Sequence, residues 1–192
     1  WTWHYAFDQE RFFIKLFAST VFQYSPNVFL AHDLPMLAVA KLAAERCGAK
    51  LVYDSHELYS EQELTTRVKR RWSEIERKHI AACDKVITVN PSIAHELESR
   101  YGLQGINVVY NAERTGFEVE RRSYFHELYQ LPPHAKILLF QGGVSAGRHI
   151  DTLVASMQYV KNKNIHLVIL GDGQLVTPLT KIAEDSGVKP QV

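Results

Sequence analysis

Short apolar runs alternate along this chain with longer segments in which apolar residues recur every three or four positions. The short runs are typical of buried parallel strands, and the longer segments are typical of amphipathic helices. In the first part of the chain this alternation predicts four strands, at 28–31, 51–53, 85–89 and 106–110. It also predicts the helices that precede and connect them, at 10–24, 35–46, 63–83 and 91–101.

The alternation begins again after a polar segment at residues 112–134, in which a short helix is expected at 124–129. Beyond it the pattern predicts strands at 137–140 and 165–170, helices beginning near 148 and 175, and another strand beginning in the final KPQV. We therefore predict an α/β protein with two Rossmann-like parallel-sheet domains, residues 1–111 and 135–192, joined by a linker at 112–134. Both domains are expected to be incomplete, because each has fewer strands than such domains usually contain.

The segment KILLFQGGVSAGRHID, residues 136–151, carries a possible ligand-binding turn. Gly142 and Gly143 follow the predicted strand, and Arg148 follows them. Glycine lets the backbone approach a ligand closely, and the amides of a first helical turn bind phosphate together with a guanidinium. We predict a diphosphate site here. The alternatives are that the glycines only end the strand, and that Arg148 pairs with Asp151 across one helical turn.

Polar side chains also follow two strands of the first predicted domain. His32 and Asp33 come at the end of the first strand, and Asp54-Ser55-His56-Glu57 follows the second. Because ligands bind at the carboxyl ends of the strands in an open parallel sheet, these histidines and carboxylates are candidate site residues. The alternative is that each His-carboxylate pair only caps the helix or loop that follows it.

Composition and charge exclude several classes of protein. The 22 basic and 21 acidic side chains give a formal charge of +1, so no nucleic-acid partner is predicted. Cys47 and Cys83 stand alone within helical patterns, without the spacing of a metal site, and are predicted to be buried thiols in a reducing compartment. No apolar run approaches the roughly 18 to 20 residues that span a bilayer.

Several nucleotide and catalytic motifs are missing from the sequence. It contains no GxxxxGK[ST] loop, no GxGxxG after a strand, no HExxH and no GxSxG. These absences argue against P-loop hydrolases, dinucleotide-binding enzymes, metalloproteases and α/β-hydrolases. No Asp-x-Asp pair ends a strand either, so we predict no metal site.

Two segments, residues 1–24 and 67–78, combine aromatic and basic side chains. The simpler interpretation is a core-facing helix in the first segment and a solvated, charged helix face in the second. The alternative is a surface that contacts an anionic membrane, where a lipid-linked acceptor would lie.

Six motifs follow one another along the chain, in the order AHDLPML, LVYDSHELYSE, CDKVITVN, VVYN, ILLFQGGVSAGRHID and LVILGDG. This series resembles glycosyltransferase family 4 from about Val28 to Val188. The resemblance implies the GT-B fold, in which two Rossmann-like domains face each other across a cleft. It also implies sugar transfer from a nucleotide-sugar with retention of configuration, without a divalent metal. No cofactor is implied, because the nucleotide-sugar is a substrate.

The resemblance assigns a donor-binding role to residues of the second domain. Gly142 matches the glycine that approaches the donor phosphates, and Arg148 matches a basic residue that binds the diphosphate. Gly143 stands where many members carry an arginine, so one of the two cations usual at this site is missing or supplied by another residue. The loop near the nucleotide base corresponds to three residues, Gly171, Asp172 and Gly173.

The first domain supplies the acceptor side in the same comparison. His32, with Asp33 beside it, matches the histidine near the transferred sugar and is the candidate catalytic residue. His56 and Glu57 are expected to line the acceptor side. The family's later carboxylate motif and its first glycine-rich loop are not in this chain, so the isolated chain is expected to be weakly active or inactive.

The implied function is transfer to a glycan or lipid-linked acceptor in lipopolysaccharide, capsule or other cell-surface polysaccharide synthesis. The expected location is the cytoplasm, including the inner face of the plasma membrane. Two other interpretations stay open: a sugar-nucleotide epimerase, and a non-catalytic fragment that binds a nucleotide or a partner.

Overall fold

The computed structural model describes residues 8–62, 64–116 and 122–192, and the chain divides after Thr115 into two compact units. This division lies inside the segment predicted to be a linker. Residues 1–7, 63 and 117–121 lie outside the described residues, and so does the start of the first aromatic segment. No helix among the described residues is long and apolar enough to cross a bilayer.

The first unit is a four-stranded parallel sheet with helices between its strands. Its strands are β1 (Val28–His32), β2 (Lys50–Ser55), β3 (Lys85–Thr88) and β4 (Asn107–Val108), paired in the order β1-β2-β3-β4. Its helices are α1 (Gln9–Val21), α2 (Leu34–Cys47), α3 (Thr66–Ile80) and α4 (Pro91–Tyr101), with a 3₁₀ turn at Tyr59–Glu61. The predicted alternation of strands and helices is confirmed in this unit.

The helix ends show why these sequences begin and end helices where they do. The Asn90 side chain accepts a hydrogen bond of 2.9 Å from the Ile93 amide, and Pro91 occupies the first helical position of α4. At the other end, Gly102 adopts the left-handed conformation with φ 67° and closes α4, as its sequence position predicts.

Helix α3 and strand β4 are shorter than predicted, and α1 and β3 also end early, at Val21 and Thr88. Helix α3 begins at Thr66 and ends at Ile80, after which the chain forms a turn, so the predicted span of 63–83 was too long. Strand β4 begins at Asn107, just after the Ile106 amide donates to the Glu98 carboxylate at 3.1 Å, and it ends at Val108, two residues before the predicted end.

The carboxylate of Glu76 is buried in the core of the first unit. Trp72, Tyr53 and leucines of α2 and α4 fill the space against the sheet, and Glu76 of α3 is buried among them. Glu76 accepts hydrogen bonds from the hydroxyls of Tyr53 at 2.8 Å and Tyr101 at 2.7 Å. Burial raises the pKa of Glu76, and these two hydrogen bonds only partly oppose that effect.

The prediction that both cysteines are buried was wrong for Cys47. Cys47 is exposed at the last position of α2, next to the closing Gly48. Cys83 is half-buried just after α3, and burial, with a smaller effect of Asp84, raises the pKa of its thiol to about 12. Neither cysteine forms a disulfide.

The second unit contains a two-stranded parallel sheet. Strands β5 (Lys136–Gln141) and β6 (Ile165–Leu170) pair along their whole length. The helices are α5 (Tyr124–Leu128), α6 (Ile150–Ser156) and α7 (Val176–Asp185), with 3₁₀ turns at Met157–Tyr159 and Lys189–Gln191. Ile150, Val154, Leu167 and Leu179 belong to its buried core.

Two predictions for the second unit need correction. The final KPQV does not begin a strand, because the Gln191 amide donates to the Val188 carbonyl and the Gln191 side chain donates to Ile165, which hold it in a 3₁₀ turn. Helix α6 begins at Ile150 rather than near Arg148, because His149 takes a left-handed conformation with φ 52° immediately before it.

Candidate functional site

Strands β1 and β2 bring two histidines and an aspartate together at the carboxyl edge of the first sheet. His32 and Asp54 are partners in the parallel register, and His56 lies two residues beyond Asp54 on the same side. His32 Nδ1 lies 2.9 Å from Asp54 Oδ2, and His56 Nε2 lies 2.9 Å from the same oxygen. The two imidazole rings meet edge to face with centroids 5.9 Å apart.

One buried carboxylate therefore holds two exposed imidazoles. The Asp54 side chain is 12% exposed, whereas those of His32 and His56 are 62% and 43% exposed. An ionised carboxylate only accepts hydrogen bonds, so the nitrogens facing Asp54 carry the protons in neutral imidazoles. That tautomer leaves Nε2 of His32 free to accept a proton or a hydroxyl hydrogen bond, since no other described residue contacts it.

Asp33 supports this cluster through a strained backbone. Its φ of 59° and ψ of 162° fall in a region that only glycine usually occupies, which costs about 1–3 kcal/mol. The Asp33 amide donates to the Asp54 carbonyl at 2.9 Å, and its carboxylate accepts from the His56 amide at 3.3 Å. Its side chain makes no capping bond to α2, so the capping alternative for Asp33 was wrong.

Glu57 does not join the cluster. It is exposed, and its carboxylate accepts a hydrogen bond of 2.6 Å from the Gln62 side chain. The sequence reasoning named Asp54 only as a neighbour of His56 and did not select it as a site residue. The available signal was the spacing of two between Asp54 and His56, which would place both side chains on one side if the strand continued.

In the second unit, the loops that follow β5 and β6 are packed against each other. A Cβ atom built on Gly171 would lie 1.9 Å from the Gly142 carbonyl oxygen, and one on Gly173 would lie 2.2 Å from the Val144 carbonyl oxygen. Contacts that close exclude any side chain, so both positions require glycine. The structure thus brings together Gly142, Gly171 and Gly173, as the shared edge of parallel strands predicts.

Hydrogen bonds between these loops occupy some of the predicted main-chain donors. The Gly142 amide donates to the Leu170 carbonyl at 3.0 Å, and the Val144 amide donates to the Asp172 carbonyl at 2.9 Å. The Gly143 amide has no backbone acceptor among the described residues. The Asp172 side chain accepts from the Gly173 amide at 2.7 Å, so it is held within its own loop.

Arg148 lies beside the first of these loops. Its Nη1 is 3.9 Å from the position that a Cβ atom on Gly142 would take, and the residue is exposed. The structure shows no ion pair between Arg148 and Asp151 or another acidic residue in the described part of the chain. The guanidinium is therefore close to the loop and keeps its donors available for an anion.

Comparison of the sequence with known protein families identifies the family of this chain. The sequence pattern of Glycosyltransferase Family 4 matches residues 3–113, which are more than half of the chain. The chain belongs to Glycosyltransferase Family 4. The resemblance given by the six motifs is thereby confirmed, and the match covers the strands that carry His32, Asp54 and His56. No curated protein matches the chain in sequence.

Solved structures with a similar fold include glycosyltransferases. The lipopolysaccharide outer core galactosyltransferase WaaB has a TM-score of 0.63 and 16% identity over 95% of this chain and 47% of WaaB. Sucrose-phosphate synthase from Thermosynechococcus elongatus has a TM-score of 0.70 and 14% identity over 95% of this chain and 48% of its own. Anabaena Alr3699/HepE in complex with UDP and glucose has a TM-score of 0.67 and 17% identity, over 93% of this chain and 49% of HepE.

These matches confirm the predicted fold class, α/β with parallel sheets of the GT-B glycosyltransferase type. The chain spans about half the length of the solved structures that it matches. The family match ends at residue 113, so the roles predicted for Gly142, Arg148 and the loop at 171–173 stay predictions.

Proposed function

We propose that this chain is part of a retaining glycosyltransferase that transfers a sugar from a nucleotide-sugar to a glycan or lipid-linked acceptor in cell-surface polysaccharide synthesis. Family membership and the fold support the reaction class. The UDP and glucose named with Anabaena HepE, and the lipopolysaccharide substrate named with WaaB, support a nucleotide-sugar donor and a glycan acceptor. The proposed location is the cytoplasm.

The observation that carries this proposal is the position of Arg148 beside the paired glycine loops. A departing nucleoside diphosphate gains negative charge, and donors fixed in advance stabilise that charge best. The Arg148 guanidinium, 3.9 Å from the Cβ position of Gly142, and the unpaired Gly143 amide supply such donors without a divalent metal. Gly143 also replaces the arginine common in the family, which leaves Arg148 as the proposed cation of this loop.

His32 has a separate role in the proposal. Asp54 fixes the Nδ1–H tautomer of His32, so its exposed Nε2 can accept a hydrogen bond from a hydroxyl of the transferred sugar or the acceptor. Asp33 and His56 hold the cluster in place, and Glu57 is left to the rim of the acceptor side. If transfer occurs, NMR of the product's anomeric proton distinguishes retention from inversion.

The diphosphate site is tested by calorimetric titration of UDP and GDP into the wild-type chain and into Arg148→Ala and Arg148→Lys. Hydrogen bonds to charged groups contribute about 1.5–3 kcal/mol, so Arg148→Ala should weaken binding by roughly 10- to 100-fold. Arg148→Lys should recover only part of this loss, because an ammonium lacks the two-pronged geometry of the guanidinium.

Lys161→Ala is the matched control, because Lys161 is an exposed cation of the same unit that precedes β6 and lies at the opposite edge of the sheet. It should bind UDP as the wild type does. Equal affinity of the wild type and Arg148→Ala would remove Arg148 from the site and with it the main support for a nucleotide-sugar donor.

A further inference from the structure

We propose that His32, Asp54 and His56 form a binding site for a divalent first-row transition-metal ion such as Zn²⁺. The site lies in the first unit and uses none of the residues proposed to bind the diphosphate. It goes beyond the proposed sugar transfer but shares His32 with it. An ion on His32 Nδ1 moves the ring proton to Nε2, so the metal-bound state of His32 and its hydroxyl-accepting state exclude each other.

Each imidazole nitrogen lies near the carboxylate oxygen, slightly closer than two ligands of one metal ion stand to each other. A Zn²⁺ ion lies about 2.0–2.2 Å from imidazole nitrogens and carboxylate oxygens, so neighbouring ligands around it are about 3.0–3.5 Å apart. Both imidazole nitrogens lie 2.9 Å from Asp54 Oδ2, and all three donor atoms lie within 4.8 Å of one another. Among the described residues, no other group of three metal-ligating side chains is this compact.

The backbone fixes these three residues before any ion binds. His32 and Asp54 face each other through the parallel register, and His56, which follows the end of β2, reaches the same Asp54 oxygen at 2.9 Å. The Asp33 carboxylate accepts from the His56 amide at 3.3 Å, and that contact is maintained by a backbone conformation with φ 59°. A strained backbone conformation persists only where surrounding contacts hold it, and such conformations are common at functional sites.

The local charge also favours a cation. Asp54 and Asp33 bring two carboxylates to this edge of the sheet, and within the described residues neither forms an ion pair with lysine or arginine. Binding requires each neutral imidazole to move its proton to the other ring nitrogen, so that the lone pairs of His32 Nδ1 and His56 Nε2 face the ion. Both rings are exposed, so water can receive the hydrogen bonds of the relocated protons.

The ligand types indicate which ions should bind. Two imidazoles with one carboxylate suit Zn²⁺, Co²⁺, Ni²⁺ and Cu²⁺, whereas Mg²⁺ and Ca²⁺ prefer sites made entirely of oxygen ligands. Three protein ligands leave positions for water or another ligand, which is the pattern of an open site rather than a closed structural one.

The test is a titration of the tag-free chain with Zn²⁺ by calorimetry and with Co²⁺ by visible absorption, in the absence of any nucleotide. We expect one ion per chain, Co²⁺ absorption bands typical of a low-symmetry site, and no heat with Mg²⁺. His32→Ala and His56→Ala should each weaken Zn²⁺ binding by at least about tenfold, since each removes one of only three protein ligands.

His95→Ala is the matched control, because His95 is an exposed histidine of α4 outside the cluster. It should bind Zn²⁺ as the wild type does and melt at the same temperature, and the circular dichroism spectra of all variants should match because the substituted imidazoles are exposed. Absence of Zn²⁺ and Co²⁺ binding, unchanged binding in His32→Ala and His56→Ala, or an equal loss in His95→Ala would each overturn the proposal. None of these outcomes affects UDP binding at Arg148, so the two proposals fail separately.

Discussion

The two units position polar groups at the ends of parallel strands in different ways. In the first unit, side chains do so: Asp54 holds His32 and His56 at 2.9 Å each, and Asp33 braces them. In the second unit the backbone does so: the loops after β5 and β6 are packed so closely that only glycine fits. Arg148 stands beside them with no ion pair in the described part of the chain. The first arrangement is prepared by side-chain hydrogen bonds, and the second by close backbone contact.

The largest effect is expected when the backbone contact of the second unit is broken. Gly171→Ala puts a Cβ atom 1.9 Å from the Gly142 carbonyl oxygen, so the two loops must separate. We expect the free energy of unfolding to fall by about 3 kcal/mol, the upper range for overpacking. Urea unfolding of the chain measures this change.

Gly143→Ala is the control for that substitution. Its added Cβ would lie 4.0 Å from the Ser145 side chain, so its cost should stay within about 0.5 kcal/mol. If Gly171→Ala were as stable as Gly143→Ala, the glycine contact would not be the feature that holds these loops together.

The next prediction concerns Glu76, which is hydrogen-bonded to the residue that precedes Asp54. Tyr53, next to Asp54 in β2, binds Glu76, whose pKa is raised above its ordinary 4.5 chiefly by burial. The native state then retains this proton at pH values where the unfolded chain has lost it. The wild type should therefore lose stability as the pH rises from 4.5 through the folded-state pKa of Glu76.

Glu76→Gln removes that ionisation and should abolish this part of the pH dependence. The stability difference between variant and wild type should grow by about 1.4 kcal/mol for each unit by which the folded-state pKa exceeds the unfolded one. Urea unfolding at a series of pH values measures it. Parallel pH profiles for Glu76→Gln and the wild type would show that Glu76 ionises as it does in the unfolded chain.

A smaller effect is expected at Asp33, where the first unit carries its strain. Asp33→Gly removes the cost of a φ of 59° but loses one long hydrogen bond and adds chain entropy to the unfolded state. The net expectation is a gain of about 1 kcal/mol in the free energy of unfolding. Asp33→Ala keeps the strain and loses the hydrogen bond, so it should be less stable than the wild type in the same thermal unfolding experiment.

Much of the fold could be predicted because its signals are local. Asn90 and Pro91 mark the start of α4, and Gly102 marks its end. The residues that define this helix therefore lie within it or next to it in the sequence. Strand β4 was overestimated at both ends, and its start follows a side-chain contact that apolar spacing does not reveal, the capture of the Ile106 amide by Glu98. The same reason explains α6, whose start depends on the conformation of His149 rather than on apolar spacing.

The site was predictable only in part, for a related reason. The sequence shows that His32 and His56 end neighbouring strands, but the register that places Asp54 between them follows from sheet pairing. A shift of one residue would put Asp54 opposite a different neighbour and reverse the faces. Likewise, glycine spacing indicated Gly142 and Gly171, whereas their mutual contact could not be read from spacing alone.

The smallest effect concerns the basic face of α3, which the sequence analysis considered as a membrane surface. Several of its cations are paired with nearby acids: Arg70 with Glu74 at 3.0 Å, and Lys78 with Glu10 at 2.8 Å. Arg71 likewise lies 3.5 Å from an acidic side chain. Because these pairs neutralise part of the face, anionic vesicles should retain the chain less than about twofold better than neutral ones at physiological salt. Vesicle sedimentation at low and physiological salt measures the difference. Strong retention that high salt abolishes would show that the ion pairs open at a membrane, and that this face, unlike the preorganised cluster on β1 and β2, changes its partners on binding.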